Sequence, residues 1–245
     1  MGVKYAINSK FFSKLDSVRA YVLGFFYADG SMHISERGRY VTITSTDKPI
    51  IFKIKKWMES KHFITVARST WENGKDRYVL RMGNKELYNS LLKIGLYPNK
   101  SLTIDMPIIP NKFMKDFVRG YFDGDGGVYL YRSKGIKKKI ILRKLSVIFT
   151  SGSKKFLESL LAILKSKISL QQRKVYLGHR SFQLRLSTSD SVRMFKFMYS
   201  NTDKELFFNR KFNIFREYFY RRPQRIDNVI KNILQFASQG HVAKK

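Results

Sequence analysis

The sequence predicts an α+β protein made of two pseudo-symmetric αββαββα repeats, and three observations carry that prediction. The first is an internal repeat with a period near 100 residues in a chain of 245. The second is the strict polar–apolar alternation of the short runs behind each apolar helix, the mark of half-buried strands. The third is the placing of Gly, Pro, Asn and Asp between those runs, where turns and helix caps need them.

The repeat is clearest where Val22-Leu23-Gly24-Phe25-Phe26-Tyr27-Ala28-Asp29-Gly30 aligns with Val118-Arg119-Gly120-Tyr121-Phe122-Asp123-Gly124-Asp125-Gly126, identical at five of nine positions. Downstream, Thr44-Ser45 recurs as Thr150-Ser151, and Tyr78-Val79-Leu80-Arg81-Met82 as Phe182-Gln183-Leu184-Arg185-Leu186. Asn99-Lys100 is echoed by Arg210-Lys211. Four echoes in one order are hard to obtain by chance.

In the first repeat an apolar helix is expected from Ser17 to Asp29, then strands at 31–35 and 40–44. Asp47 can cap a helix with Pro49 in its first turn, running to about Lys61. Strands near 63–71 and 76–83 follow, and then a helix capped by Asn84. The second repeat keeps this plan with longer strands. Its extra length falls in Arg132 to Lys144, with seven basic residues and no acidic one. The expected division is residues 1–98 for the first repeat, 99–112 for a linker, 113–222 for the second repeat, and 223–245 for a short helix and basic tail.

Composition narrows the function. Lys and Arg number 48 against 18 Asp and Glu, a net charge of +30, which implies a polyanionic partner, nucleic acid before any membrane. With no cysteine, thiolate chemistry and cysteine-based zinc sites are excluded. The four histidines, His33, His62, His179 and His241, are scattered and read as surface or groove residues, so any metal has oxygen ligands. The longest apolar run, Ala20 to Ala28, has nine residues, too short to cross a bilayer. No signal-peptide core is visible, so the expectation is an intracellular protein with no membrane partner.

Both repeats open on small-x-x-x-small-acid-Gly. Gly24 and Ala28, like Gly120 and Gly124, lie four apart on one helical face, where small side chains let two backbones approach. If the two helices meet there, Asp29 and Asp125 come together, and their repulsion favours a divalent cation. An Asp-Gly pair between apolar runs is ordinarily a turn. Twice in register, in a chain at +30, it points to metal-assisted phosphodiester hydrolysis.

These two segments resemble the signature helices of the LAGLIDADG homing endonucleases, in the monomeric two-motif form. The resemblance covers roughly residues 17 to 220. It implies paired signature helices, antiparallel sheets forming a DNA-binding saddle, and a Mg²⁺-dependent double-strand cut with short 3′ overhangs at a long, nearly non-palindromic site. Mn²⁺ or Ca²⁺ are alternative occupants. It further implies double-stranded DNA as the partner, in an organelle or a bacterial or archaeal cytoplasm, and intron homing as the context, with an intein or free-standing origin left open. The metal ligands implied are Asp29 and Asp125, with the carbonyls of Ala28 and Gly124. By position, Ser45, Ser151, Lys100 and Lys211 are the catalytic helpers. The first motif departs from the family by placing Tyr27 where an acid is common; the second keeps Asp123.

The outward strand rows would meet the major groove. In the first half these are Ser31, His33, Ser35, Arg37, Tyr40, Thr42, Thr44, Arg77 and Arg81. In the second they are Arg132, Arg143, Gln171, Arg173, Gln183 and Arg185, with Lys137, Lys138 and Lys139 on phosphates. Two rival readings use the same scaffold, a maturase binding intron RNA and a nuclease-inactive DNA-binding regulator. A basic coat protein is a third, and it would need neither acid.

Overall fold

The computed structural model describes residues 5–72, 74–134, 140–172, 174–203 and 206–238. The fold is α+β with two four-stranded antiparallel sheets. It divides into two compact units, Met1–Gly124 and Asp125–Lys245.

The first unit runs α1 (Ser17–Asp29), β1 (Gly30–Ser35), β2 (Gly38–Ser45), α2 (Lys48–Trp57), β3 (Ile64–Ala67), β4 (Arg77–Gly83), α3 (Lys85–Ile94) and α4 (Met114–Asp125), with strand order β1-β2-β4-β3. The packing boundary differs from the repeat boundary, because α4 opens the second repeat yet lies in the first unit up to Gly124. Helix α1 starts where Asp16 accepts the Arg19 N–H at 2.7 Å. Every residue from Ala20 to Tyr27 is then buried. A helix apolar all round has to sit inside its unit, unlike the one-sided helices α2 and α3.

Two expectations in this unit are corrected. Helix α2 ends at Trp57 rather than near Lys61, since Glu59 has a left-handed φ of 52° that stops the helix. At its start Asp47 stands at the N-cap position, with its N–H donated to Ser45 Oγ. His62 is not a surface histidine but a buried one. Its Nε2 accepts the Gly83 N–H at 3.2 Å, so the ring proton sits on Nδ1 and is donated to Ser60 Oγ at 3.0 Å. Burial, and then Lys55, lower its pKa.

The second unit runs β5 (Gly126–Lys134), β6 (Ile140–Ser151), α5 (Lys154–Ile168), β7 (Tyr176–Leu177), β8 (Phe182–Arg185), α6 (Thr188–Tyr199), α7 (Asn209–Arg221) and α8 (Asn228–Ser238). Its strand order, β5-β6-β8-β7, repeats that of the first sheet. Its core gathers Phe195, Tyr199, Phe212, Phe215 and Phe219, with Phe195 centred 5.0–5.8 Å from the other four rings. Burying each such ring contributes about 1.5–3 kcal/mol. The hairpin β5–β6 is longer than β1–β2, as expected, while β7 and β8 are shorter than β3 and β4, against the expectation of longer strands. The hairpin register shifts between Tyr131 and Arg132. Among the described residues no helix is long and apolar enough to cross a membrane.

The stretch read as a linker is packed rather than loose. Ile104 and Ile109 are buried, and a short 3₁₀ turn at Lys100–Leu102 carries Lys100 inward.

Candidate functional site

Helices α1 and α4 meet backbone to backbone. A Cβ on Gly24 would lie 2.0 Å from the Phe117 carbonyl oxygen, and one on Gly120 would lie 1.9 Å from that of Tyr21. A Cβ on Gly124 would be 2.3 Å from the Ala28 methyl. No side chain larger than hydrogen fits at Gly24 or Gly120 without separating the helices.

Polar groups are also buried along this contact. Tyr21 donates its hydroxyl to Asp123 Oδ2 at 2.8 Å, joining α1 to α4. Arg119, fully buried, bonds Asp116 at 2.7 Å and lies 5.5 Å from the Tyr21 ring centre. Asp123 had no role legible in the sequence; its partner is a tyrosine 102 residues away. Tyr27, at the matching place in α1, points instead to α3 and donates to the Ile94 carbonyl at 3.1 Å. Burial, with Tyr97 and Asp105 adding to it, pushes the Tyr27 pKa far up, so it stays a neutral donor.

Both signature helices end on an acid. Asp29 is half-buried with Oδ2 beside Gly124, and Asp125 is exposed. An acid at a helix C-terminus faces the negative end of the dipole, and neither helix has a basic residue in its last turn. Remote lysines supply the cation. In the first unit the buried Lys100 reaches the carbonyls of Tyr27 at 2.9 Å and Ala28 at 3.5 Å. In the second the buried Lys211 reaches the Gly126 carbonyl at 2.6 Å.

The donors at these ends are carboxylate and carbonyl oxygens, the set a hard divalent cation prefers. Among the described residues no three His, Asp or Glu side chains form a ready metal cage. A divalent cation held by few carboxylates completes its shell with water and phosphate.

Ser45 and Ser151 share one local geometry. Each hydroxyl accepts the backbone N–H two residues on, from Asp47 and Ser153, at 3.1 Å. Both therefore shape the turn from strand into helix.

The first sheet buries Met32, Val41, Ile43, Leu80 and Met82 on one face. Its other face carries Ser31, His33, Ser35, Tyr40, Thr42, Thr44, Arg77 and Arg81, with Ser31, Thr42 and Arg81 in one cross-strand row. Arg37 belongs to the β1–β2 turn rather than to a strand.

In the second sheet, Gln183 and Arg185 stand opposite Thr150 and Ile148 on the face away from the buried Leu184. Arg132 does not join this row. It follows Val128 and Leu130 at every second place along β5, opposite the buried Leu142, and Glu217 of α7 pairs with it at 2.6 Å. Gln171 lies in a loop before β7, its N–H donated to Asp190. Lys137, Lys138, Lys139 and Arg173, and the side chain of Arg143, lie outside the described residues.

The sequence reading missed Tyr129 and Tyr131, which are exposed on the open face of β5, with Lys144 5.8 Å from the Tyr131 ring centre. The signal was present, since Val128, Leu130 and their neighbours alternate as the first sheet does.

The family model described as a LAGLIDADG-like domain matches this chain twice, over residues 16–95 and 112–199. An uncharacterized protein of Methanocaldococcus jannaschii, MJ0314, is 33% identical over 117 residues, 45% of this chain and 41% of that protein. A replication factor C small subunit from the same organism is 25% identical over 186 residues, 71% of this chain and 9% of that protein. The chain thus spans less than half the length of these curated relatives.

Among solved structures, the homing endonuclease I-WcaI bound to its DNA recognition sequence superimposes with a TM-score of 0.57 at 15% identity, covering 81% of this chain and 88% of that one. The LAGLIDADG homing endonuclease I-LtrWI bound to target DNA gives 0.56 at 11% identity, covering 94% and 99%. I-SmaMI bound to an uncleaved DNA target with calcium ions gives 0.54 at 13%, covering 95% and 100%. At these identities the likeness establishes a shared fold.

Proposed function

The chain belongs to the LAGLIDADG-like domain family, and we propose that it is a site-specific DNA endonuclease, cutting both strands of a long, nearly non-palindromic duplex site as a monomer and leaving short 3′ overhangs. The observation that carries this reading is the doubled helix end. Each signature helix stops on an acid, turns at a glycine into a strand, and has a buried lysine on a carbonyl at the junction.

In this reading Asp29 and Asp125 hold divalent metal, Mg²⁺ by preference, with the carbonyls of Ala28 and Gly124 as further donors. When bound, the cation supplies Lewis-acid activation of water and stabilises charge on the leaving oxygen. Lys100 and Lys211 keep positive charge at two helix ends that otherwise present only oxygens. The open sheet faces supply Arg, Gln, Thr and Tyr to base edges, and the surplus of 30 positive charges binds phosphate without regard to sequence. The enzyme acts in whichever compartment holds its target DNA.

The test is cleavage of a plasmid carrying the uninterrupted form of the gene that hosts this reading frame, where a homing enzyme's site lies. Wild type should linearise it in Mg²⁺, while Asp29→Asn and Asp125→Asn should bind it and cut at background rate. Undiminished cleavage by the double variant would remove these acids from the active site.

A further inference from the structure

On the open face of the first sheet three side chains from three strands lock together. His33 of β1 stands opposite Tyr40 of β2, and their rings stack at 5.0 Å with planes 12° apart. The guanidinium of Arg81, from β4, lies 4.1 Å from the Tyr40 ring centre. Its Nη2 is 2.8 Å from His33 Nε2. Arginine can only donate, so that nitrogen must accept, and the imidazole is neutral with its proton on Nδ1. Gly83, opposite Tyr40, leaves the space the ring needs, since a Cβ there would come within 3.1 Å of it.

An exposed arginine ordinarily samples many rotamers. Arg81 is exposed yet held at its plane by Tyr40 and at one nitrogen by His33. A guanidinium has five N–H donors in a rigid fork, so donors remain after the contact to His33. A pinned planar fork on a sheet face that enters a major groove matches the paired O6 and N7 acceptors of guanine. A phosphate contact asks for charge rather than a fixed plane.

We propose that His33, Tyr40 and Arg81 act as one prearranged reader of a single G·C pair, with Arg81 touching the guanine and His33 and Tyr40 positioning it. This rests on the DNA-binding reading above.

The test is selection of bound duplexes from a randomised DNA library by the full-length protein in Ca²⁺, followed by sequencing. Wild type should enrich a site with guanine at one fixed position. Arg81→Gln should erase the preference there and nowhere else, and weaken binding of the selected duplex by about 10- to 100-fold. His33→Ala and Tyr40→Ala should blunt preference at that same position. As a readout free of DNA, Arg81→Gln should move the NMR titration of the His33 imidazole to higher pH.

If the site is enriched but His33→Ala and Tyr40→Ala leave the profile intact, the coupled reader is wrong while DNA recognition stands. Loss of affinity for all sequences alike in Arg81→Gln, with a shallower salt dependence, would make Arg81 a phosphate contact and overturn the proposal. If wild type enriches nothing, the DNA-recognition reading fails and the reader fails with it.

Discussion

The two helix-to-strand junctions, Asp29-Gly30 and Asp125-Gly126, carry the same dipeptide but are held by lysines of unlike origin. Lys100 rises from a 3₁₀ turn behind Asn99, which has a left-handed φ of 58°. Lys211 sits near the start of α7, where the helix dipole disfavours a cation. What recurs is an ammonium on a junction carbonyl, and the local backbone that delivers it does not recur.

The same holds for the sheets. Arg81 and Arg185 are repeat mates, but His33 and Tyr40 hold the first, while Arg185 Nε donates to Gln183 Oε1 at 2.7 Å. Divergence has kept the positions of the charges and changed their supports.

The largest effect that separates the junctions is expected on cleavage. Lys100→Met and Lys211→Met should each slow cutting on the order of 100-fold, the usual loss when a fixed charge-stabilising donor is removed. The ratio of nicked to linear plasmid measures it. A deficit in one variant only would show that the shared contact hides unequal roles.

A middle-sized effect compares two buried tyrosine hydroxyls of α1, one bonded to α4 and the other to α3. Tyr21→Phe removes a buried bond to a carboxylate and should cost about 1.5–3 kcal/mol, whereas Tyr27→Phe removes one to a carbonyl and should cost about 1 kcal/mol. Thermal denaturation reads the difference, at roughly 2–4 °C per kcal/mol for a domain of this size. Equal losses would mean that Asp123 gains nothing from Tyr21 beyond an ordinary hydrogen bond.

The smallest effect compares the two arginines in acid. The groups facing His33 across the sheet are Tyr40 of β2 and Arg81 of β4, and its own strand offers Ser31 and Ser35. Burial, and then Arg81, lower its pKa below the ordinary 6.5. Its contribution is therefore complete above pH 6.5 and is lost as pH falls through the lower folded value. Protonation would replace an acceptor with a second cation. Base preference at the Arg81 position should relax by a few fold between pH 7 and 5. Preference set by Arg185 should hold, because the Gln183 amide does not titrate. Parallel loss at both positions would point to general acid weakening instead.

Much of the fold was legible because it rests on local periodicities. Alternation placed β1, β2 and β4 and the open row from Ser31 to Arg81, and the apolar run closed by acid-Gly marked α1. Where prediction slipped, a non-local or backbone event intervened. A left-handed Glu59 cut α2 short, and Arg132, on the β5 face of Val128 and Leu130 rather than that of Tyr129 and Tyr131, pairs with Glu217 of a distant helix. Ser45 and Ser151 were read by position alone, and the structure engages each in its own turn.

From sequence alone came the repeat, the charge, the small residues that let α1 and α4 close on each other, and the two acids that end them. These are properties of neighbours three or four residues apart, of totals over the chain, or of the chain compared with itself. Only the tertiary structure decided which lysine reaches which carbonyl, that Asp123 meets Tyr21, and that His33, Tyr40 and Arg81 form one unit. Those partners lie 41 to 102 residues apart, except for His33 and Tyr40 across one hairpin. Their meeting depends on register and packing, which no local pattern encodes.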